Sequence, residues 1–344
     1  MVFGRRYPGS TNCGTVIEMS EMTPTVLAVV PSYNHGRFVG ERIRSVVQQD
    51  YQNIHLAIID DGSSDETVDV LSKIDDSRIA VTIRDKNSGS PFTAWMDACN
   101  LIEENKYEYI WIAESDDRAD LQLVSRAISK LRENPNSSLY YCHSWFVNED
   151  DLIIGHSINY LKTYFPDIDW TQGFSMDGNS YIERLLVKGM AIPNMSSAIM
   201  RSDAFVKAVR KNTSRYKLAG DWVFAIDIAK LGNIIFEPWD GNYFRHHSRT
   251  SRSETRMANV VFEHMMATRH AYETSKVKSS VYFEQMVTWG RMYRHEKVGL
   301  FEFFKIGMNM SIRHIPIFIY WTKLYNYRFL RFIKRDIYDV LRRK

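Results

Sequence analysis

Cysteine is scarce in this 344-residue chain, and the three present do not pair: Cys13, Cys99 and Cys142 are an odd number, far apart, with no CxxC motif. That argues against a disulfide framework or a cysteine zinc site and suits a reducing compartment, the cytoplasm. Long apolar runs are also missing. Ile315 to Thr322 is the longest late in the chain, far short of the roughly 20 residues a membrane helix requires. Arg5 and Arg6 are followed by no apolar segment before Thr23, so the start of the chain does not read as a secretory signal. Residues 1–22 read instead as a flexible lead-in, with Met22 an alternative start. Repeats and low-complexity segments are absent as well. What is present, 44% hydrophobic and 25% charged residues, is an ordinary globular balance with enough chain for one large domain and an appendage.

The net charge of +3 is unevenly spread. Arg313 to Lys344 holds nine Lys/Arg against two Asp, a segment of +7 that leaves −4 for everything before it. Within it Tyr327, Leu330, Ile333, Ile337 and Leu341 recur at helical spacing, with Arg328, Arg331, Lys334, Arg335 and Arg342 between them. A basic amphipathic helix of this kind lies on anionic membrane surfaces, or packs on its own domain with its charges solvated. A peripheral place at the inner face of a membrane is the expectation. Nucleic acid is not an expected partner, because the rest of the chain is net acidic and carries no recognisable nucleic-acid module.

The first half alternates short apolar runs with helical patterns. Val26–Val30, His55–Ile59, Ile79–Ile83, Tyr109–Ala113 and Ser138–Cys142 read as strands. Segments from Val39, Thr67, Pro91 and Leu121 read as helices between them. Such alternation predicts a doubly wound parallel sheet covered on both faces, with ligands at the carboxyl ends of the strands. Residues 144–200 look irregular and are expected to carry acceptor-side loops. Asp221 to Leu231 reads as a helix, and the pattern is helical again from about Glu254, with a loose boundary near residue 250.

Polar clusters stand where strands end. Glu114-Ser-Asp-Asp117 places three carboxylates within four residues, a costly arrangement unless a cation neutralises them. Oxygen ligands at that density suit Mg²⁺ or Mn²⁺ bridged to phosphates, although an acidic turn capping the next helix has the same composition. Asp60-Asp-Gly-Ser-Ser-Asp65 can present a carboxylate to a ribose or base, while Ser64 or Asp65 can equally cap the helix near Thr67. Asp221 suits either a general base or a helix cap. Of the adjacent His246 and His247, a strand turns at most one toward a common site.

With these motifs in order, the chain resembles the family 2 glycosyltransferases, an inverting group with the nucleotide-binding GT-A fold. The likeness runs through Val30-Pro-Ser-Tyr-Asn34, Ile59-Asp-Asp-Gly-Ser-Ser-Asp65, Asn87-Ser-Gly-Ser-Pro-Phe92, Trp111-Ile-Ala-Glu-Ser-Asp-Asp117, Gly220-Asp-Trp222 and Tyr243-Phe-Arg-His-His-Ser248. It implies a GT-A catalytic domain over 23–250, a Rossmann-like α/β sheet, followed by a helical C-terminal region over 251–344. It implies a nucleotide pocket at Pro31, Tyr33, Asn34, Asp60, Asp61, Asn87 and Ser115. The Glu-Ser-Asp-Asp run matches the family's DxD motif, so Glu114, Asp116 and Asp117, with His247, are the implied ligands of Mn²⁺ or Mg²⁺. The first acid is Glu rather than Asp, which leaves Asp116 and Asp117 as rival principal ligands. Asp221 matches the catalytic-base position, and Arg245 and Arg249 are candidate phosphate contacts.

The implied function is transfer of a sugar from a UDP, GDP or dTDP donor to a saccharide or lipid-linked acceptor, in O-antigen or capsule assembly. A sugar nucleotidyltransferase would carry a Gly-rich basic loop after the first strand, where this chain has Pro-Ser-Tyr-Asn-His-Gly-Arg. A degenerate scaffold at the membrane would not retain every expected carboxylate. The C-terminal helices could equally serve a homodimer.

Overall fold

The structure, a computed structural model, describes residues 23–212, 216, 218–247 and 257–295. The lead-in, Cys13, Arg249 and the basic tail lie outside the described residues. In chain order the strands are β1 (Val26–Ser32), β2 (Ile54–Asp60), β3 (Ile79–Ile83), β4 (Tyr109–Ile112), β5 (Arg118–Ala119), β6 (Ser137–Val147), β7 (Ile153–His156), β8 (Phe174–Met176), β9 (Ala198–Arg201) and β10 (Asn233–Arg245). The α-helices are α1 (Gly36–Val47), α2 (Thr67–Leu71), α3 (Phe92–Asn105), α4 (Leu123–Glu133), α5 (Ser157–Tyr164), α6 (Gly178–Tyr181), α7 (Ser202–Asn212), α8 (Gly220–Ala229), α9 (Met257–Thr274) and α10 (Ser279–His295).

The five expected strands form, and four of them, in the order β3-β2-β1-β4, are parallel. Every residue of β1 is buried, as a strand covered on both faces requires. Its side chains sort by the two-residue period of a strand. Val26, Ala28 and Val30 face Val39, Ile43 and Val46 of α1 and the apolar face of α4. Leu27 and Val29 face Trp95, Ala98 and Cys99 of α3 and the core of α7 and α8. Val261, Met265, Met286 and Trp289 extend this second layer into α9 and α10.

The sheet is not wholly parallel as expected. It continues as β9-β6-β10-β5, with β9 antiparallel to both β4 and β6, and β5 antiparallel to β10. Residues 144–200 are likewise less irregular than their sequence. Strand β6 runs on to Val147 through His143 and Ser144, polar residues that masked it but are satisfied inside. His143 is held between Ser157 Oγ and the Trp170 carbonyl at 2.9 Å each, and the Ser144 N–H donates to Ser157 Oγ. Because β9 reverses direction twice over, β6 and its parallel partner β10 point the same way as β4. The ends of β1, β2, β4 and β10 therefore open on one edge of the sheet. That edge collects the polar motifs.

Candidate functional site

Two loops build one wall. After β1, Tyr33 is 44% exposed, while Pro31 is buried within the strand. Asn34 adopts a left-handed φ of 54° and ties the loop to its neighbour: its N–H donates to Ser63 Oγ and its Oδ1 accepts from the Ser64 N–H, both at 2.8 Å. After β2, Asp60 is fully buried and turns inward to accept from the N–H and hydroxyl of Ser63. Asp61 points the other way. It pairs with Arg84 at 2.6 Å and accepts from the Ser88 N–H and hydroxyl. Gly62, at φ +75°, lets the third loop close in, because a Cβ there would lie 2.8 Å from the Lys86 carbonyl carbon. Asn87 belongs to that loop, where its Oδ1 accepts from the Gly89 N–H. Asp65 accepts from the N–H groups of Thr67 and Gly36, the first residues of α2 and α1, while the cap position of α2 itself falls to Glu66, whose side chain makes no capping bond.

The Glu114–Asp117 turn after β4 divides its carboxylates among different tasks. Asp117 is buried: its Oδ1 accepts from the Arg245 N–H at 2.9 Å and its Oδ2 from Asn194 at 2.8 Å, with Arg42 3.7 Å away. Burial and the charge of Asp116 push its pKa up to about 6, against Arg42. Arg42 is itself fully buried. It donates to the Glu114 carbonyl at 2.8 Å and lies over Trp111, and burial lowers its pKa against the pull of the surrounding acids. Glu114 is partly buried. Its pKa is pushed to about 8 by burial, then by Asp116 and Asp117, with a further contribution from Asp221.

Asp116 faces two histidines. His247 Nε2 lies 3.0 Å from Asp116 Oδ2, and His35 stands edge-on to His247 with ring centroids 5.4 Å apart. Burial would raise the Asp116 pKa, but the His247 hydrogen bond and the charges of both histidines outweigh it and hold it low. His247 is raised, chiefly by that same hydrogen bond, and His35 is lowered by burial. One ligand atom from each of His35, Asp116 and His247 lies within 4.8 Å of the other two. Imidazole nitrogen and carboxylate oxygen are the donors a first-row divalent ion takes, so the residues fit one. Among the described residues Glu114 and Asp117, expected with Asp116, do not join that group. The oxygens of Asp117 are engaged inside the protein, and Ser115, expected at the nucleotide, is 1% exposed with its hydroxyl 2.7 Å from His35 Nδ1.

His246 is exposed while His247 turns inward, as strand alternation requires. Arg245 is not the phosphate contact its sequence position suggested. Its guanidinium is 1% exposed and donates to the Asp116 and Asn148 carbonyls, Glu41 and Asp151. It is a girder between β10, α1 and the acidic turn.

Asp221 lies in the first turn of α8, where its Oδ1 accepts from the Trp222 N–H at 2.7 Å. The cap itself is Ala219, which has no side chain for the task. Glu263 of α9 instead holds the chain leading into the helix, its Oε2 accepting from the N–H groups of Leu218 and Ala219 at 2.7 and 2.8 Å. Gly220 is required by close approach: a Cβ would lie 2.2 Å from the Phe92 ring, at the end of the third of these loops. Trp222 is anchored through its Nε1 to the Leu186 carbonyl. His35, Arg42, Arg84, Asn194 and Glu263 escaped the sequence reading. His35 stands beside Asn34 and offered a positional signal; the other four act across separations that sequence spacing does not reveal.

Comparisons with known proteins agree with this architecture. The family model described as Glycosyl transferase family 2 matches residues 27–207. Glycosyltransferase GlyG of Streptococcus pneumoniae is 27% identical over 189 residues, 54% of this chain and 55% of that protein. The UDP-Glc:alpha-D-GlcNAc-diphosphoundecaprenol beta-1,3-glucosyltransferase WfaP of Escherichia coli is 30% identical over 129 residues, 38% of this chain and 49% of its own. The chain thus spans about half the length of these two relatives. Among solved structures, the mannosyltransferase PcManGT of Pyrobaculum calidifontis, in complex with GDP-Man and Mn²⁺, superposes with a TM-score of 0.53 at 12% identity. The match covers 90% of this chain and 82% of that one, a likeness of fold.

Proposed function

The chain belongs to glycosyl transferase family 2, and from that premise we propose that it is an inverting, divalent-metal-dependent glycosyltransferase acting on a nucleotide-sugar and a saccharide or lipid-linked saccharide. The observation that carries the proposal is the meeting, on one sheet edge, of the Asp116–His247 pair, the Asp61 loop and the Asp221 carboxylate, which is close enough to Glu114 for its charge to act there. Tyr33, Asn34, Asp61 and Asn87 line the nucleotide side. Asp60 and Ser115 support it from behind. A divalent cation held by Asp116 and His247 would take up charge on the departing diphosphate. Asp221 removes the acceptor's proton as its hydroxyl attacks from the face opposite the leaving group, and an ordinary carboxylate suffices because the transfer accompanies attack.

The diphosphoundecaprenol-linked substrate for which the E. coli relative is named supports a diphospholipid-linked acceptor and a place in surface polysaccharide assembly, such as O-antigen or capsule. Among the described residues no helix is long and apolar enough to cross a membrane. The basic segment from Arg313 supplies the attraction to an anionic surface instead. Sedimentation with anionic vesicles checks this: binding should fall with salt and vanish when the segment is removed, and salt-independent binding would refute it.

Asp221→Asn tests the chemistry. Sugar transfer should fall by about 10²–10⁴-fold in kcat, with nucleotide affinity unchanged. A variant that keeps normal kcat would remove Asp221 from the base role.

A further inference from the structure

We propose that His35 is a third protein ligand of the divalent cation, and that the resulting two-imidazole, one-carboxylate set makes the site prefer transition-metal ions over Mg²⁺. The inference rests on the reading of Asp116 and His247 as metal ligands, and extends it to a residue that stands outside the acidic turn and on a different element.

Three features carry it. First, spacing: His247 Nε2 and Asp116 Oδ2 are 3.0 Å apart, which is the edge of an octahedron with metal–ligand bonds of about 2.1 Å. A ligand atom of His35 lies within 4.8 Å of both, close enough for a bound ion to draw it in by a small ring movement. Second, orientation: His35 Nδ1 is 2.7 Å from Ser115 Oγ. The tautomer in which Nδ1–H donates to that hydroxyl puts the lone pair on Nε2, the arrangement by which a second-shell partner fixes a ligating histidine. Ser115 is buried inside the turn that also carries Asp116, so one short segment supplies a ligand and orients another. Third, anchoring: the His35 N–H donates to Thr67 Oγ1 at 3.1 Å, and its carbonyl accepts from the N–H groups of Phe38 and Val39 at the start of α1. The ring therefore projects from a fixed backbone.

The choice of metal follows from the donors. Mg²⁺ favours an all-oxygen shell, whereas imidazole nitrogen stabilises first-row transition ions, with affinity rising from Mn²⁺ to Co²⁺. Three protein ligands leave three octahedral positions for oxygen atoms of the donor or water. A purely structural His35, bonded to Ser115 to hold the loop, would leave metal affinity and selectivity unaffected.

The test measures metal binding on the full chain in the presence of UDP, without turnover. Mn²⁺, Co²⁺ and Mg²⁺ are titrated into the wild type, His35→Ala, His35→Gln, Ser115→Ala and Asp116→Ala, and bound Mn²⁺ is followed by its paramagnetic resonance and nitrogen couplings. The wild type should bind in the order Mg²⁺ < Mn²⁺ < Co²⁺ and show two imidazole couplings. His35→Ala should lose one coupling, bind Mn²⁺ at least tenfold more weakly and leave Mg²⁺ affinity nearly unchanged, while Ser115→Ala should weaken Mn²⁺ by about tenfold. His35→Gln, which keeps a side-chain donor at this position, guards against reading a folding defect as a lost ligand, and it too should lose the coupling. Mn²⁺ affinity and both couplings retained without His35, but lost in Asp116→Ala, would overturn this inference alone. A wild type that binds none of the three ions would overturn both it and the metal reading beneath it.

Discussion

Two neighbouring aspartates that look interchangeable in Glu114-Ser-Asp-Asp117 face different surroundings. Asp116 meets two imidazoles at an open edge, and Asp117 is sealed against Asn194, Arg42 and the Arg245 backbone. Removing them should therefore do different things. Asp116→Ala should fold normally and lose metal binding. Asp117→Ala leaves Arg42 buried without its carboxylate, and breaking such a pair costs about 3–5 kcal/mol. Denaturant unfolding of both variants checks this, and equal stability would contradict the division of labour. The same scale shows where sequence reading stops. A DxD-like turn is visible as composition, but which carboxylate turns inward depends on Asn194, 77 residues away. Asp61 was visible after its strand, whereas its partner Arg84 was not, because an arginine at the end of β3 resembles any solvated arginine until the loops close.

The elements most legible in the sequence were those whose apolar period matched their burial. β1, β2 and β4 are nearly continuous apolar runs, and α1 and α4 show a clear apolar stripe. Strand β9 was missed because it has four residues, emerges from a 3₁₀ turn at Met195–Ser197 and sits between antiparallel neighbours. A parallel reading has no place for it. Helix α8 illustrates a dependence on distant chain. Its N-terminus carries Asp221, yet the chain leading into it is held from α9, through Glu263. Glu263→Ala should lower kcat for sugar transfer with little change in donor KM, because the loop ahead of Asp221 loses its acceptor. A hydrogen bond to a charged group of this kind contributes about 1.5–3 kcal/mol of stability. Glu263→Gln, whose amide oxygen can still accept both N–H groups, should recover most of the rate. Steady-state kinetics decide it, and an unimpaired alanine variant would show that α8 holds its place without α9.

For the whole molecule, topology accounts for the site. Parallel strands β1, β2 and β4 and the later parallel strand β10 point the same way, so four separated motifs arrive together. That convergence was foreseeable from alternating elements. The mixed half of the sheet was not, because a strand's direction is set by its partner and leaves no mark on its own sequence. The most direct test of the account is calorimetric titration of UDP, GDP and dTDP into the wild type and Asp116→Ala, with and without Mn²⁺. One nucleotide should bind the wild type in a Mn²⁺-dependent manner and lose that dependence in Asp116→Ala. Binding of none of the three, or binding indifferent to both metal and Asp116, would contradict the assignment of this edge as a metal-assisted nucleotide-sugar site.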